Sequence, residues 1–380
     1  MQSFKMKKVC VLTSVHYLFD TRIFHREIKS LQRASFQVTL IAPHDQSEQV
    51  EGVEIIGVKK RGKLGRIWNW FRIFQLATKE KADLYHFHDP DLMIVGLLLK
   101  LFTKKPVIYD IHEYYSGQIL TKEWIPSILR KITSFFVRLL EYVFCPTYSA
   151  LITATEGVYN NYKKLNKKVF VINNYPDRKF FNKISKEKPA RDFLSCIYCG
   201  DKTRIRGIKN ILKAFLLLKK RGVKVKLEMI GPASPKSFGK EVKNFIKKNN
   251  LENTVQDTPR IPFKKAWSQI PKADVGIMPF LPCPNHLIAM PTKILEYMAS
   301  KLAVVTSDLP LVKKFIEKEK CGLVFRSTSY KDLANKISRL ASDRELVKRM
   351  AENGEKAFLE KYNWQKEEKK LLKIYKKLEG

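Results

Sequence analysis

Short apolar runs alternate with helical stretches along this chain, and the pattern stops once and restarts. Strands are expected near residues 8–15, 36–42, 53–58, 83–88, 106–111, 149–153 and 168–172, with helices between them such as 21–33 and 91–102. A second series follows at 193–199, 224–230, 273–278, 302–306 and 322–325, and charged helices run from about 329 to 378. Alternation of this kind builds β-α-β units and parallel sheets. The expected fold class is therefore α/β, with two doubly wound domains, 1–175 and 193–362, facing a central cleft. Residues 176–192 read as the linker, and 363–380 as a final helix that returns to the first domain. In sheets of this type ligands gather at the carboxyl ends of the strands, so those ends are where chemistry is sought.

A chain of 380 residues with 44% hydrophobic content can bury two cores, which excludes global disorder. The formal net charge of +35 points to polyanionic partners: nucleic acid, an anionic membrane or phosphorylated substrates. The first eight residues run straight into a strand-like stretch and show no signal peptide. No apolar run reaches the ~18–20 residues of a membrane span. A cytoplasmic location, at most peripheral to a membrane, is expected. Cys196 and Cys199 form a C-x-x-C inside a strand-like run, with no second pair or nearby His to complete a zinc site. They read as buried strand cysteines.

The second half carries the densest chemistry. Pro291 suits the first turn of a helix that follows an apolar strand and a Pro-rich loop. A helix start there gathers free amides and a positive dipole end, which favours phosphate. Lys293 and Glu296, three residues apart, share one face of that helix. A cation beside the amides suits a diphosphate, and a carboxylate one turn on can accept bonds from two sugar hydroxyls. An ordinary surface Lys–Glu pair would show the same spacing. At the end of strand 193–199, Gly200 opens a loop with Lys202, Arg204 and Arg206 ahead of the next helix. Three cations at a helix start make a diphosphate clamp, and Arg206 suits it best through its forked guanidinium; a solvated basic loop is the alternative. Gly231-Pro232 is a second strand-to-loop glycine, weak by itself.

In the first half, Thr13-Ser14-Val15-His16 ends the first strand, and Asp20 or Thr21 can cap the helix that follows. Arg22, His25 and Arg26 on that helix could face the cleft. His86 and His88 share one strand face, and Asp89-Pro90-Asp91 has the spacing of a metal-binding Asp-x-Asp. Pro90-Asp91 also opens a helix, and capping is the preferred reading. His112 ends another strand, placed to touch substrate or to serve as a structural hydrogen-bonder.

Residues 59–81 interleave Lys59, Lys60, Arg61, Lys63, Arg66 and Arg72 with Trp68, Trp70, Phe71, Ile73 and Phe74. Leu64, Ile67, Trp68, Phe71 and Phe74 follow helical spacing and can form a core stripe that leaves Trp70 and Ile73 off it. The same mixture suits an anionic membrane surface. Nucleic acid could use the same chemistry through stacking and phosphate contacts, but no RNP, KH or zinc-finger pattern supports it.

Taken together, these residues resemble family-4, group 1 retaining glycosyltransferases of the GT-B fold, which has two Rossmann-like domains. The resemblance rests on Thr13-Ser14-Val15-His16, Phe19-Asp20-Thr21-Arg22-Ile23-Phe24, Ile41-Ala42-Pro43 and Tyr109-Asp110-Ile111-His112-Glu113 in the first domain. In the second it rests on Arg206-Gly207, Pro291-x-Lys293-x-x-Glu296-Tyr297-Met298 and Tyr362-Asn363-Trp364. It implies a nucleotide-sugar donor held by Gly200, Lys202, Arg204, Gly231, Pro291 and Thr292. Glu296 would bind the ribose, Arg206 and Lys293 would neutralise the departing diphosphate, and His112 would lie near the transferred sugar. His16, Asp20 and Arg22 would face a lipid-linked or membrane-proximal glycan acceptor of surface-polysaccharide assembly. No cofactor or metal is required by that mechanism. The pattern departs from the family at Ile288, where a sugar-contacting Glu often stands, at Asp201, where an Arg is usual, and at Lys301, where a Gly is usual. A sugar-nucleotide epimerase of the same fold and a non-catalytic nucleic-acid binder are the competing readings.

Overall fold

The computed structural model describes residues 7–59, 66–121, 125–288 and 290–379. The chain divides into two compact units, Met1–Asn174 with Trp364–Gly380, and Tyr175–Asn363.

The first unit is built on an eight-stranded sheet. In chain order its strands are β1 Lys8–Leu12, β2 Gln37–Pro43, β3 Glu48–Val50, β4 Val53–Val58, β5 Leu84–Phe87, β6 Val107–Ile111, β7 Ala150–Thr153 and β8 Val169–Val171. Their order across the sheet is β3-β4-β2-β1-β5-β6-β7-β8, with β3 antiparallel to β4 and every other pairing parallel. The chain winds outward from β1 in one direction and from β5 in the other. The junction of β1 and β5 is thus the switch point where such sheets open at their carboxyl ends.

Alternation along the strands divides two cores between the faces. Cys10, Leu12, Tyr85, Phe87, Tyr109 and Ile111 point to one face, under the helices Arg66–Lys79 and Met93–Thr103. Val9, Val11, Leu84 and Ile108 point to the other. That second face is covered by residues 23–33 and by the helix Trp364–Glu379, whose Trp364 donates its indole N–H to Ser30 at 2.9 Å. Residues 23–28 form a π-helical turn rather than the expected α-helix.

Two expectations fail in this unit. The short strand β3 was not foreseen, because Glu48–Val50 is half polar and only three residues long. In the segment 59–81, residues 60–65 lie outside the described residues. In the helix beyond them the core face differs from the possible stripe: Ile73 and Ala77 enter the core with Trp70 and Phe74 against it, whereas Trp68 and Phe71 are exposed.

The second unit carries an all-parallel six-stranded sheet: β9 Leu194–Cys199, β10 Val225–Ile230, β11 Val255–Thr258, β12 Val275–Met278, β13 Ala303–Ser307 and β14 Gly322–Phe325. The order is β11-β10-β9-β12-β13-β14, which puts its switch point between β9 and β12. The register there is short, Val275 to Cys196 and Gly276 to Ile197, so the two strands part before their carboxyl ends. Tyr297 fills the gap: its hydroxyl accepts the Cys199 N–H at 3.1 Å and reaches the Ile277 carbonyl at 3.4 Å. Gly276 makes this possible, because a Cβ there would strike the Tyr297 ring. The stretch 176–192 falls within this unit and includes the helix Arg178–Phe181, whose Phe181 is buried in the core.

Candidate functional site

In the second unit the sequence gathers its chemistry at the ends of β9 and β12. Gly200 leaves β9 with φ +144°. A Cβ at this position would collide with the Lys293 side chain, 2.6 Å from its ammonium, and would lie 3.5 Å from an Arg206 nitrogen. The two cations therefore meet over the Gly200 backbone. Gly231, φ +141°, ends β10 directly against the Gly200 carbonyl, where a side chain has no room. Gly207, φ +68°, opens the helix Ile208–Lys220 against the Pro279 carbonyl and holds the basic loop to the end of β12.

Lys293 and Glu296 sit on the helix Thr292–Ala299, which has no side-chain cap. Pro291 occupies the capping position with φ −65° and ψ 127°, one residue before the expected first turn. A surface Lys–Glu pair would bond these two side chains to each other. Among the described residues neither has a salt-bridge or hydrogen-bond partner. Both charges act on the Cys199 thiol at the end of β9, whose titration burial raises to about 11 while Lys293 draws it down. The helix thus presents an uncommitted cation and an uncommitted carboxylate to one strand end. Arg206 contacts Asp201, 3.3 Å to its carboxylate and 3.4 Å to its carbonyl, lies beside the Tyr198 hydroxyl and sits over the Phe280 ring.

The other two basic residues of the loop are otherwise engaged. Lys202 is buried, with its ammonium on Asp257 and on the Thr258 carbonyl at 2.9 Å. It pins the loop to β11 and does not offer its charge outward. Arg204 is held in a fork by Glu241, which also takes Lys209 at 3.1 Å. These two were expected to hold the donor; their acidic partners, distant in sequence, already neutralise them.

The first unit places its notable residues at the ends of β1, β5 and β6. Strand alternation sends His86, His88, Asp110 and His112 to the same face, where they meet Arg22 and Glu27. Arg22, expected on the acceptor side, is an interior group: it is buried, and its guanidinium grips Asp110 at 2.9–3.0 Å and the Ile172 carbonyl at 2.8 Å. Burial alone would raise the Asp110 carboxyl, but Arg22 and the histidines hold it well below its usual range. Glu27 is pushed well up by burial and by the neighbouring Asp110 charge, so it keeps the proton of the pair. Burial drives His86 and His112 well below the ordinary imidazole range, and both are neutral at pH 7. His86 meets the Tyr375 hydroxyl at 2.6 Å, and His112 meets His88 at 3.1 Å.

Four of these side chains, Glu27, His86, His88 and Asp110, offer ligand atoms within 4.8 Å of one another. Arg22 lies 3.0 Å from Glu27 and 2.9 Å from Asp110, so a guanidinium already supplies the positive charge that both carboxyls face. The Asp-x-Asp pair is engaged by the loop after β1. Asp89 accepts bonds from Thr13 Oγ1 at 2.6 Å and the Ser14 amide at 2.7 Å, and Asp91 from Ser14 Oγ at 2.8 Å. Together they fasten the loop after β1.

That loop carries His16, which sits 3.4 Å from Asp20 and 3.4 Å from Asp89, with its ring tilted against that of His112 at 4.8 Å. Burial lowers its basicity, but the two carboxylates more than offset this and raise it. Asp20 accepts the Arg22 and Ile23 amides at 2.8 and 3.0 Å, the capping expected of it. Sequence reasoning quoted Asp110 and Tyr297 only as parts of motifs and did not single out Glu27. Their roles depend on partners in other elements that no local pattern reveals.

Two family descriptions divide the chain between them. Glycosyltransferase Family 4 matches residues 21–179, and Glycosyl transferases group 1 matches residues 180–357. An uncharacterised glycosyltransferase of Methanocaldococcus jannaschii is 28% identical over 379 residues, covering 97% of this chain and 98% of the relative. A second from the same organism is 24% identical over 196 residues, and there the match spans about half of the relative, 47%. Among solved structures, sucrose-phosphate synthase from Thermosynechococcus elongatus superposes with a TM-score of 0.78 at 15% identity, covering 98% of this chain and 99% of that one. Anabaena Alr3699/HepE in complex with UDP-glucose gives 0.73 at 15% identity, covering 97% and 99%. WaaG, a glycosyltransferase involved in lipopolysaccharide biosynthesis, gives 0.69 at 15% identity, covering 96% and 98%. All three share the two-domain GT-B architecture found here.

Proposed function

The chain belongs to the family-4, group 1 glycosyltransferases of the GT-B fold, and from that premise we propose that it moves a sugar, with retention, from a nucleotide-sugar donor to a lipid-linked or membrane-proximal glycan in surface-polysaccharide assembly. The observation that carries the donor side is the uncommitted Lys293 and Glu296, with Arg206, around the side-chain-free Gly200. Gly200 and Gly231 let the diphosphate approach backbone amides, and Pro291 and Thr292 open the helix that receives it. Lys293 and Arg206 stabilise the negative charge that grows on the leaving diphosphate, and this stabilisation is worth most in the transition state. Glu296 accepts hydrogen bonds from the ribose hydroxyls. The departing phosphate takes the acceptor's proton, so the reading assigns no step to a metal.

On the acceptor side His16 and Asp20 are the candidate contacts, and His112 supplies a neutral imidazole to a sugar hydroxyl. Arg22 acts by position only, holding Asp110 beneath His88 and His112. Support for the donor class comes from the UDP-glucose complex of the HepE neighbour, and support for the acceptor class from the lipopolysaccharide role of WaaG. Nucleotide release is measured across UDP-, GDP- and ADP-sugars with lipid-extract acceptors. Release with one donor, lost in Lys293→Ala, is the expected result; folded protein that neither binds nor turns over any donor refutes the proposal. No helix among the described residues is long and apolar enough to cross a membrane, so the proposal places the enzyme peripherally, with the exposed Trp68, Phe71 and Arg72 of segment 59–81 toward an anionic surface.

A further inference from the structure

The helix Ser127–Phe144 of the first unit is inside out. Three of its polar side chains, Ser134, Arg138 and Glu141, face the protein. Glu141 is fully buried and accepts the Tyr162 hydroxyl at 2.5 Å. Arg138 bonds Glu141 at 3.0 Å and the Asn161 carbonyl at 2.8 Å, and Ser134 bonds the Ser116 carbonyl at 2.8 Å. The apolar side chains face out. Ile128 is 77% exposed, Phe135 66% and Phe136 56%, and Ile132, Leu139 and Val143 continue the same stripe. Spacings of three and four residues keep them on one side of the helix. An ordinary surface helix buries that stripe and exposes its charges. Here a wide apolar stripe is left uncovered, which marks a surface that another phase or partner covers.

The surroundings extend the stripe. The helix Met93–Thr103 packs between this one and Arg66–Lys79. It ends on Leu101 and Phe102, 61% and 72% exposed, and the exposed Lys104 and Lys105 follow directly. Phe102 meets Phe74 of the third helix at 5.8 Å, beside the exposed Trp68 and Phe71.

We propose that Ser127–Phe144 is a membrane-insertion helix that lies in the plane of an anionic bilayer, its apolar face among the acyl chains. Charge selects the occupant. The side chains that remain outward among the apolar ones include Lys131 and not a single carboxylate of this helix, and cations border the neighbouring helix ends. A second copy of a chain with formal charge +35 would be repelled, whereas anionic headgroups are attracted. With 18 residues the helix is about 27 Å long, and its buried Glu141 and Arg138 require that one side stay on the protein, so it lies flat and does not span. The inference extends the membrane-proximal part of the proposed function but names a different element from segment 59–81, and the two are separable.

The test is flotation of the full chain with phosphatidylcholine vesicles, with and without phosphatidylglycerol. One variant combines Ile132→Gln, Phe135→Ser, Phe136→Ser and Leu139→Gln; a second combines Trp68→Ser and Phe71→Ser. All six side chains are exposed, and thermal unfolding together with nucleotide binding checks that each variant is folded. The expected result is flotation that needs phosphatidylglycerol and weakens at least roughly ten-fold in the first variant, with a smaller loss in the second. Wild-type flotation by the first variant overturns the inference, as does a loss confined to the second, which leaves the membrane role with segment 59–81. A wild-type chain that ignores vesicles but is a dimer, split by the first variant, also overturns it and assigns the stripe to a second copy. Donor turnover in detergent without vesicles tests the transferase reading separately.

Discussion

Replacing Gly200 by Ala probes the donor site with a single methyl group. The backbone there has φ +144°, where an L-residue is strained, at a cost of about 1–3 kcal/mol in folding stability. The new Cβ would also overlap the end of the Lys293 side chain, 2.6 Å from its nitrogen. Lys293 is long and has no anchoring side-chain partner among the described residues, so it swings away and adds little to the folding cost. The consequence falls on the ligand. A charge-assisted hydrogen bond from Lys293 to a phosphate is worth about 1.5–3 kcal/mol, which corresponds to roughly ten- to a hundred-fold in nucleotide affinity. Titration calorimetry with the nucleotide diphosphate reads the affinity, and thermal unfolding reads the stability. The decisive comparison is a double-mutant cycle with Lys293→Ala. Once Lys293 is gone the methyl has nothing to displace, so Gly200→Ala should cost far less affinity on that background. Strict additivity, or a Gly200→Ala protein that binds as wild type, would refute the placement of Lys293 over Gly200 in the phosphate site.

Other perturbations address separate parts of the molecule. Glu296→Ala is expected to weaken nucleotide binding by roughly ten- to a hundred-fold through lost charged hydrogen bonds to the ribose; the same titration shows it, and unchanged affinity removes Glu296 from the site. Asp110→Ala strands the buried Arg22 guanidinium and should destabilise the first unit by about 3–5 kcal/mol in denaturant titration, whereas a loss below about 1 kcal/mol would show that the pair contributes little. His16 has its basicity raised in the folded state by Asp20 and Asp89. Its contribution to stability is therefore complete below about pH 6.5, the unfolded value, and is lost as pH climbs through the folded one. His16→Asn should flatten that part of the stability–pH curve; an unaltered slope contradicts the pairing. Tyr297→Phe leaves the Cys199 amide without its acceptor at the β9–β12 junction and is expected to cost about 1–3 kcal/mol in thermal unfolding.

The sheets were legible because parallel strands buried on both faces read as apolar runs, and β1, β4, β9 and β10 fall close to where those runs are. The strands that escaped notice, β3 and β11, are short and carry polar residues such as Glu48 and Asp257. The candidate donor site was legible in part. Helix periodicity put Lys293 and Glu296 on one face, and the glycine at a strand end marked a close approach. Sequence could not sort the basic loop, because Lys202, Arg204 and Arg206 are alike until Asp257 and Glu241 claim the first two from other elements.

The first unit shows the same limit more sharply. Alternation puts His86 with His88 and Asp110 with His112, but that both pairs share one face follows from the pairing of β5 with β6, His86 beside Ile108. That Arg22 lies buried beneath them depends on a π-helical turn and on the distant helix Trp364–Glu379. In the segment 59–81 and in Ser127–Phe144, periodicity reveals an amphipathic helix but not which side the protein takes. That choice belongs to tertiary packing. Glu141 and Arg138 find partners inside, while Ile128, Phe135 and Phe136 are left facing out. By itself the sequence determined most of the elements and their two-domain order, because hydrophobic period and backbone chemistry are local. Which charges are spent on structure and which remain free for a ligand was decided only by the fold, because a charge is neutralised by whatever lies near it in space.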